Sequence, residues 1–184
     1  MADLMTFEEH RGSVEGKTFA WTGDGNNVLH SFVEGAARFG YTMNMAVPLG
    51  SEPHDKFMNW ARNNGGAVKL YHAAEQAVAG VDMVVTDTWV SMNQEHKARG
   101  HNIFQPYQVN DALMKRAKDD ALFMHFLPAH LGAEVTASVI DVPQSVVFDE
   151  AENRLPAQTP ILSWCFGPVL PPQLPAKDKA RPHA

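Results

Sequence analysis

The sequence predicts an α/β domain: a doubly wound parallel sheet in strand order 3-2-1-4-5 with helices on both faces. Three observations carry that prediction. Strand-like and helix-like segments alternate along the chain, which implies right-handed crossovers between parallel strands. The run Val81-Asp82-Met83-Val84-Val85-Thr86 is apolar almost throughout, as strands buried on both faces are. Three strand-like runs also end in polar residues: 17–22 enters Gly23-Asp24-Gly25-Asn26-Asn27, 81–86 enters Asp87-Thr88-Trp89-Val90-Ser91-Met92, and 121–124 enters His125-Phe126-Leu127-Pro128. In the predicted order these are strands one, four and five, side by side, with the topological switch point between one and four. Ligands bind outside the carboxyl ends of strands at such a point, so three polar ends predict one site.

The elements follow in order. Residues 1–10 read as a helix already under way, with Leu4, Met5 and Glu8-Glu9 but no cap before them, the two glutamates forming a solvated face. After the first strand, Val28, Phe32, Ala36 and Phe39 recur at spacings of three and four, a core-facing helical stripe capped by Asn27 and ended by Gly40. Thr42 to Val47 is the second strand, closed by Pro48. Pro53 opens a second helix as its first residue, with Phe57, Met58 and Ala61 on one face and Gly65-Gly66 as its stop. Residues 67–71 form the third strand, a short alanine-rich helix covers 73–79, and a later helix carries Leu113, Met114 and Ala117. The stretch 168–184 holds five prolines, four charges and little apolar mass, and reads as a disordered tail.

Composition bounds the function. With 184 residues, 45% of them hydrophobic and 20% charged, the chain is an ordinary globular domain with enough apolar mass for a core. A formal net charge of -6 without any Lys/Arg cluster argues against a nucleic-acid partner. The single cysteine, Cys165, rules out a disulfide framework and fits a reducing compartment; between Trp164 and Phe166 it reads as a small buried hydrophobe. No run reaches membrane-spanning length and no basic-then-apolar leader opens the sequence, so the cytoplasm is the expected location and no membrane partner is implied.

The glycine turn after the first strand invites comparison with a dinucleotide fingerprint. Val28 stands where the third glycine belongs, and Pro48-Leu49-Gly50 ends the second strand where an acidic residue would hold a ribose. Neutral asparagines before a helix N-terminus suit a small anion such as a carboxylate instead. By residue type alone, Asp87 serves equally well as a loop-capping carboxylate or as a ligand group. His125 reads as a hydrogen-bonded core histidine. The pairs His96/His101 and His125/His130 each have four residues between their members and lack helical metal-ligand spacing, so no metal site is expected.

Taken together and in order, Gly23-Asp24-Gly25-Asn26-Asn27, Asp87-Thr88-Trp89-Val90-Ser91-Met92, His125-x-Leu127-Pro128 and Glu150-Ala151-Glu152-Asn153-Arg154 resemble the motifs of the carboxyl-terminal, ornithine-binding half of ornithine carbamoyltransferases, over roughly residues 1–167. The resemblance implies a reaction of carbamoyl phosphate with L-ornithine to give L-citrulline and phosphate in arginine metabolism, without metal or organic cofactor. It implies that Asn27 holds the amino acid's α-carboxylate, that Asp87 and Ser91 hold its ammonium, and that Met92 adds a backbone contact. Leu127 would offer backbone atoms to the carbamoyl group and Arg154 a cationic donor to its oxygen as the δ-amine attacks. Residues 1–15 would be the remnant of an interdomain helix, 16–167 the ornithine-binding domain, and the assembly a homotrimer with L-ornithine and carbamoyl phosphate as ligands.

Three departures set further expectations. Phe126 stands where the family has a cysteine, which replaces a thiol beside the attacking amine with a ring lacking any polar atom. The family's Ser-Thr-x-Arg-Thr phosphate loop and His-Pro-x-Gln carbamoyl loop have no counterpart in these 184 residues. Pro156 and Pro160 fall in the last helix, where an interior proline costs about 3 kcal/mol, so Pro160 is expected to end or kink it. Arg154, on that compromised helix, serves equally as a surface ion pair. The expectation is therefore a truncated ornithine-binding half without activity of its own. The alternatives are an inactive remnant or amino-acid-binding module, and a carbamoyltransferase for another amine, which Phe126 would favour.

Overall fold

The structure, a computed structural model, describes residues 1–89 and 101–167. Ser91, Met92, His96 and the proline-rich stretch 168–184 lie outside the described residues. The elements run α1 (Ala2–Arg11), β1 (Thr18–Thr22), α2 (Asn27–Phe39), β2 (Thr42–Ala46), α3 (Asp55–Asn63), β3 (Ala67–Tyr71), α4 (Ala74–Val78), β4 (Met83–Thr86), α5 (His101–Phe104), α6 (Asp111–Met114), β5 (Leu122–His125), α7 (Ala137–Ile140) and α8 (Val147–Phe166). All strand pairings are parallel and the sheet order is β3-β2-β1-β4-β5, as the alternation predicts.

The sheet separates two cores because side chains alternate across each strand. Phe19, Trp21, Met43, Met45, Met83, Val85, Leu122 and Met124 point to one side, where they meet Leu4 and Phe7 of α1, Leu29, Phe32 and Val33 of α2, and Met58 of α3. Ala20, Ala46, Val84 and Phe123 point to the other, onto Ala74, Ala77 and Val78 of α4, Leu113 of α6 and Val139 of α7. Register sets the site: Thr22 pairs with Thr86, and Thr86 with His125, so the carboxyl ends of β1, β4 and β5 finish in one row. Among the described residues no helix is long and apolar enough to cross a membrane.

Several local expectations are corrected. Asn26, not Asn27, caps α2: its backbone is extended (φ -80°, ψ -176°) and its side chain accepts from the Val28 and Leu29 amides, while Asn27 is already helical. Pro53 precedes α3 instead of opening it; His54 is the cap, its Nδ1 accepting from the Lys56 amide. Phe39, last in α2, leaves the core and is 41% exposed beside a groove along α1. The later helix closes at Met114, with Ala117 buried in the turn after it. Cys165 is exposed, since the end of α8 has nothing packed over it among the described residues. Glu9 is not merely solvated: it accepts from Asn153 Nδ2 at 2.7 Å, one of the contacts that join α1 to α8 alongside Asn153 to Thr6 (2.9 Å) and His10 to Asp149 (2.9 Å).

Pro160 does not end α8, which runs for 20 residues through both prolines. Each proline removes one helical donor, but residues 154–166 are largely exposed, so water can satisfy the carbonyls left over. The cost should therefore appear as local lability. Amide exchange at 157–166 is expected to be faster than in the sheet, and Pro160→Ala should slow it, regaining up to about 3 kcal/mol of local stability. Uniformly slow exchange through this stretch in the parent chain would refute that reading.

Candidate functional site

The loop after β1 is fixed before any ligand is considered. Trp21 Nε1 donates to the Asp24 carbonyl at 3.0 Å and the Gly25 amide donates to the Ser51 carbonyl at 2.9 Å. A Cβ on Gly25 would lie 2.2 Å from that carbonyl oxygen, so only glycine permits the approach. Gly25→Ala is expected to push the 23–27 loop off the 51–53 segment and shift the Asn26 and Asn27 amide resonances. Unmoved resonances would show that the loop has slack.

From this loop Asn26 reaches across the switch point. Its Oδ1 caps α2, and its Nδ2 donates to Asp87 Oδ2 at 2.8 Å. The other oxygen of Asp87 accepts from the Thr88 amide at 2.8 Å, which folds the carboxylate back over its own loop. Thr86 Oγ1 donates to the Thr22 carbonyl at 2.8 Å and ties the two strand ends together below. Asp87 is thus a half-buried, two-point-bonded carboxylate at the β1/β4 switch point, and Asn27 is exposed at the first turn of α2 beside it.

The end of β5 carries a second arrangement. The Leu127 amide donates to His125 Nδ1 at 3.0 Å, which leaves the ring proton on Nε2, facing Glu134 Oε1 at 3.2 Å. His125 is 1% exposed, a core histidine as its position predicts. Burial works to raise the Glu134 pKa, but hydrogen bonds from His125 and from the His130 amide prevail and hold it below the ordinary carboxylate range. This bracing holds Leu127 at φ 33°, the one positive-φ residue other than glycine among the described residues. Left-handed backbone in a bulky residue costs about 1–3 kcal/mol and gathers at binding sites.

A cleft of about 580 Å³ opens over this turn, lined by Asp3, Val28, His125, Phe126, Leu127, Glu150 and Arg154 among others. Phe126 is half-buried there, its ring 6.3 Å from Trp21 and 6.1 Å from Phe32, so it is anchored to the core as well as facing the cleft. Arg154 is exposed and forms no ion pair with another described residue, so the surface-pair alternative has no partner there. Phe126, Leu127 and Arg154 therefore share one cleft, whereas Asn27 and Asp87 stand beside it and do not line it. The charge of Asp87 nevertheless acts on Glu150 across the boundary.

Sequence reasoning assigned no role to three acidic groups here. Glu134 and Glu150 brace β5 from a loop and from α8, and Asp3 enters from α1; Glu150 stands in a quoted motif, but the bracing of all three comes from tertiary packing that no local pattern marks. Among the described residues no group of three or more His, Cys, Asp or Glu could hold a metal ion.

Residues 15–165 match the family described as aspartate/ornithine carbamoyltransferase, Asp/Orn binding domain. The chain belongs to this family. It is 79% identical over 169 residues to the ornithine carbamoyltransferase of Agrobacterium fabrum, covering 92% of this chain and 55% of the relative. To that of Rhizobium meliloti it is 78% identical, covering 92% and 56% respectively. The fold superposes on ornithine carbamoyltransferase from Pyrococcus furiosus with a TM-score of 0.85 at 44% identity, covering 92% of this chain and 56% of the other. Against the ornithine transcarbamoylase of Giardia lamblia the TM-score is 0.82 at 32% identity, covering 92% and 59%. The chain thus spans about half the length of the curated carbamoyltransferases it matches.

Proposed function

We propose that this chain supplies the amine-binding half of an ornithine carbamoyltransferase, the site at which L-ornithine is held while its δ-amine attacks carbamoyl phosphate to release phosphate and form L-citrulline in arginine metabolism. The observation that carries the reading is the pairing of Asn26 with Asp87 at the β1/β4 switch point, directly beside the cleft of Phe126, Leu127 and Arg154. A zwitterion needs an anion at its ammonium pole and neutral donors at its carboxylate pole. Asp87 with Ser91 takes the first role, Asn27 at the start of α2 the second, and Met92 adds a backbone contact. Leu127 presents its constrained backbone to the carbamoyl group, and Arg154 polarises the carbamoyl oxygen. Residues 1–15 serve as interdomain helix and 16–167 as the binding domain. The chemistry asks for no cofactor, the complete assembly is a homotrimer, and its place is the cytoplasm.

By itself the chain binds and does not turn over, because carbamoyl-phosphate recognition falls to the phosphate and carbamoyl loops absent from its 184 residues. The anchored ring of Phe126 favours a second reading, in which a partner-completed site accepts a different, less bulky amine. Calorimetric titration with L-ornithine and with L-norvaline, which lacks the δ-amine, tests the binding reading. Both should bind, since the α-end carries the contacts; failure of both would overturn it.

A further inference from the structure

We propose that Glu150 is a positioning residue that acts as an un-ionised carboxylic acid: it shares a proton with Asp3 on one side and holds the His125 amide on the other, and so couples the start of α1 to the turn that presents Leu127. The inference uses the functional reading above only in naming Leu127 as the element positioned.

The geometry makes the argument. Glu150 is 3% exposed at the wall of the cleft, and its Oε2 accepts from the His125 amide at 3.1 Å. Oε1 is buried without a donor among the described residues. The carboxyl of Asp3 lines the same cleft within interaction range of Glu150, and two carboxyl groups bond only when a proton lies between them. An ionised Glu150 here would be a buried charge compensated only by the His125 amide. The groups facing the pair divide: Asp87 at the end of β4 adds negative charge that favours the proton, the His125 amide opposes it, and the Met1 amine contacts Asp3 at 3.4 Å from the exposed side. Arg154 lines the same cleft and is exposed. Burial, then the hydrogen bond and charge of Asp3, push the Glu150 carboxyl up to about 9, while the His125 amide opposes them.

A folded-state value above the ordinary 4.5 means that the stability tied to this proton is complete below 4.5 and is lost as pH rises toward about 9. Glutamine has the same shape and no proton to lose. The test follows the His125, Phe126 and Leu127 amide resonances and the infrared band of protonated carboxyl groups across that pH range, in the parent, Glu150→Gln, Glu150→Ala and Asp3→Asn. The parent should show a protonated carboxyl at neutral pH that titrates on the alkaline side, with the three amides moving in step. Glu150→Gln should keep the neutral-pH amide positions, abolish the titration, and gain melting temperature over the parent progressively as pH rises. Glu150→Ala should displace the amides; if it fails to fold, the glutamine and Asp3→Asn variants still decide, the latter by shifting the midpoint toward neutrality. Absence of a protonated carboxyl at neutral pH, or amide displacement by glutamine as large as by alanine, would overturn the proposal. No ligand enters these measurements, so failure of ornithine binding leaves their outcome intact.

Discussion

Given carbamoyl phosphate and L-ornithine, the chain alone is expected to form no citrulline above the buffer rate, and Phe126→Cys alone is expected to change nothing. Holding two reactants in attack geometry can account for roughly 7–11 kcal/mol of a barrier. A domain that positions only the amine forfeits most of that, whatever residue occupies position 126. Supplying the amino-terminal half of a relative, in trans or by fusion, should restore turnover, and only then should Phe126→Cys raise it. The substitution has a structural cost as well. The ring packs on Trp21 and Phe32. Truncating a fully buried phenylalanine costs roughly 3–5 kcal/mol, so a half-buried one should cost about half as much. Thermal melts must therefore accompany the assay of parent and variant, each with and without the added half. Citrulline formation by the parent chain alone would show that it carries a phosphate site within its own residues.

How far the sequence reaches can be judged from particular residues. The strand order was legible because apolar runs such as 81–86 and helical stripes such as Phe32 and Ala36 record burial directly, and a parallel sheet with these crossovers has few alternatives. The polar ends of β1, β4 and β5 were legible for the same reason. Finer placement was not. Whether Asn26 or Asn27 caps α2 depends on which residue first adopts helical dihedrals, a difference of one position that composition does not encode. Pro160 reads as a helix breaker because its local cost is visible in sequence, while the exposure that mitigates it is a tertiary property. Cys165 looks core-like between two aromatic neighbours, yet all three are exposed, because nothing among the described residues packs over the end of α8, a tertiary fact that sequence does not encode. The acids that organise the site are the least legible. Glu150 meets the His125 amide 25 residues away, and Asn26 meets Asp87 across 61, so their roles exist only once the sheet has assembled.

Asp87→Ala is expected to lower L-ornithine affinity by about 1.5–3 kcal/mol, one to two orders of magnitude, because it removes the charged, half-buried partner proposed for the ligand ammonium. The structure separates this effect from collapse of the loop. Asn26 Nδ2 would lose its acceptor, but Asn26 Oδ1 would still hold the Val28 and Leu29 amides, so α2 should keep its start. Asp87→Asn preserves the shape and can keep one of the two local hydrogen bonds, its single carbonyl accepting from either Asn26 Nδ2 or the Thr88 amide, while removing the charge; it should lose affinity nearly as much as alanine does. Asn26→Ala is the converse control: it removes the cap, at about 0.5–2 kcal/mol of stability, and leaves the carboxylate. Calorimetry with L-ornithine and L-norvaline on all three variants, beside thermal melts, discriminates the cases. If charge recognition dominates, both Asp87 variants bind poorly while melting near the parent, and Asn26→Ala melts lower yet binds more tightly than either. Parent-like affinity in Asp87→Ala would mean that the carboxylate serves only to fold its own loop, through the Thr88 amide and Asn26, and that the ammonium is held by other groups.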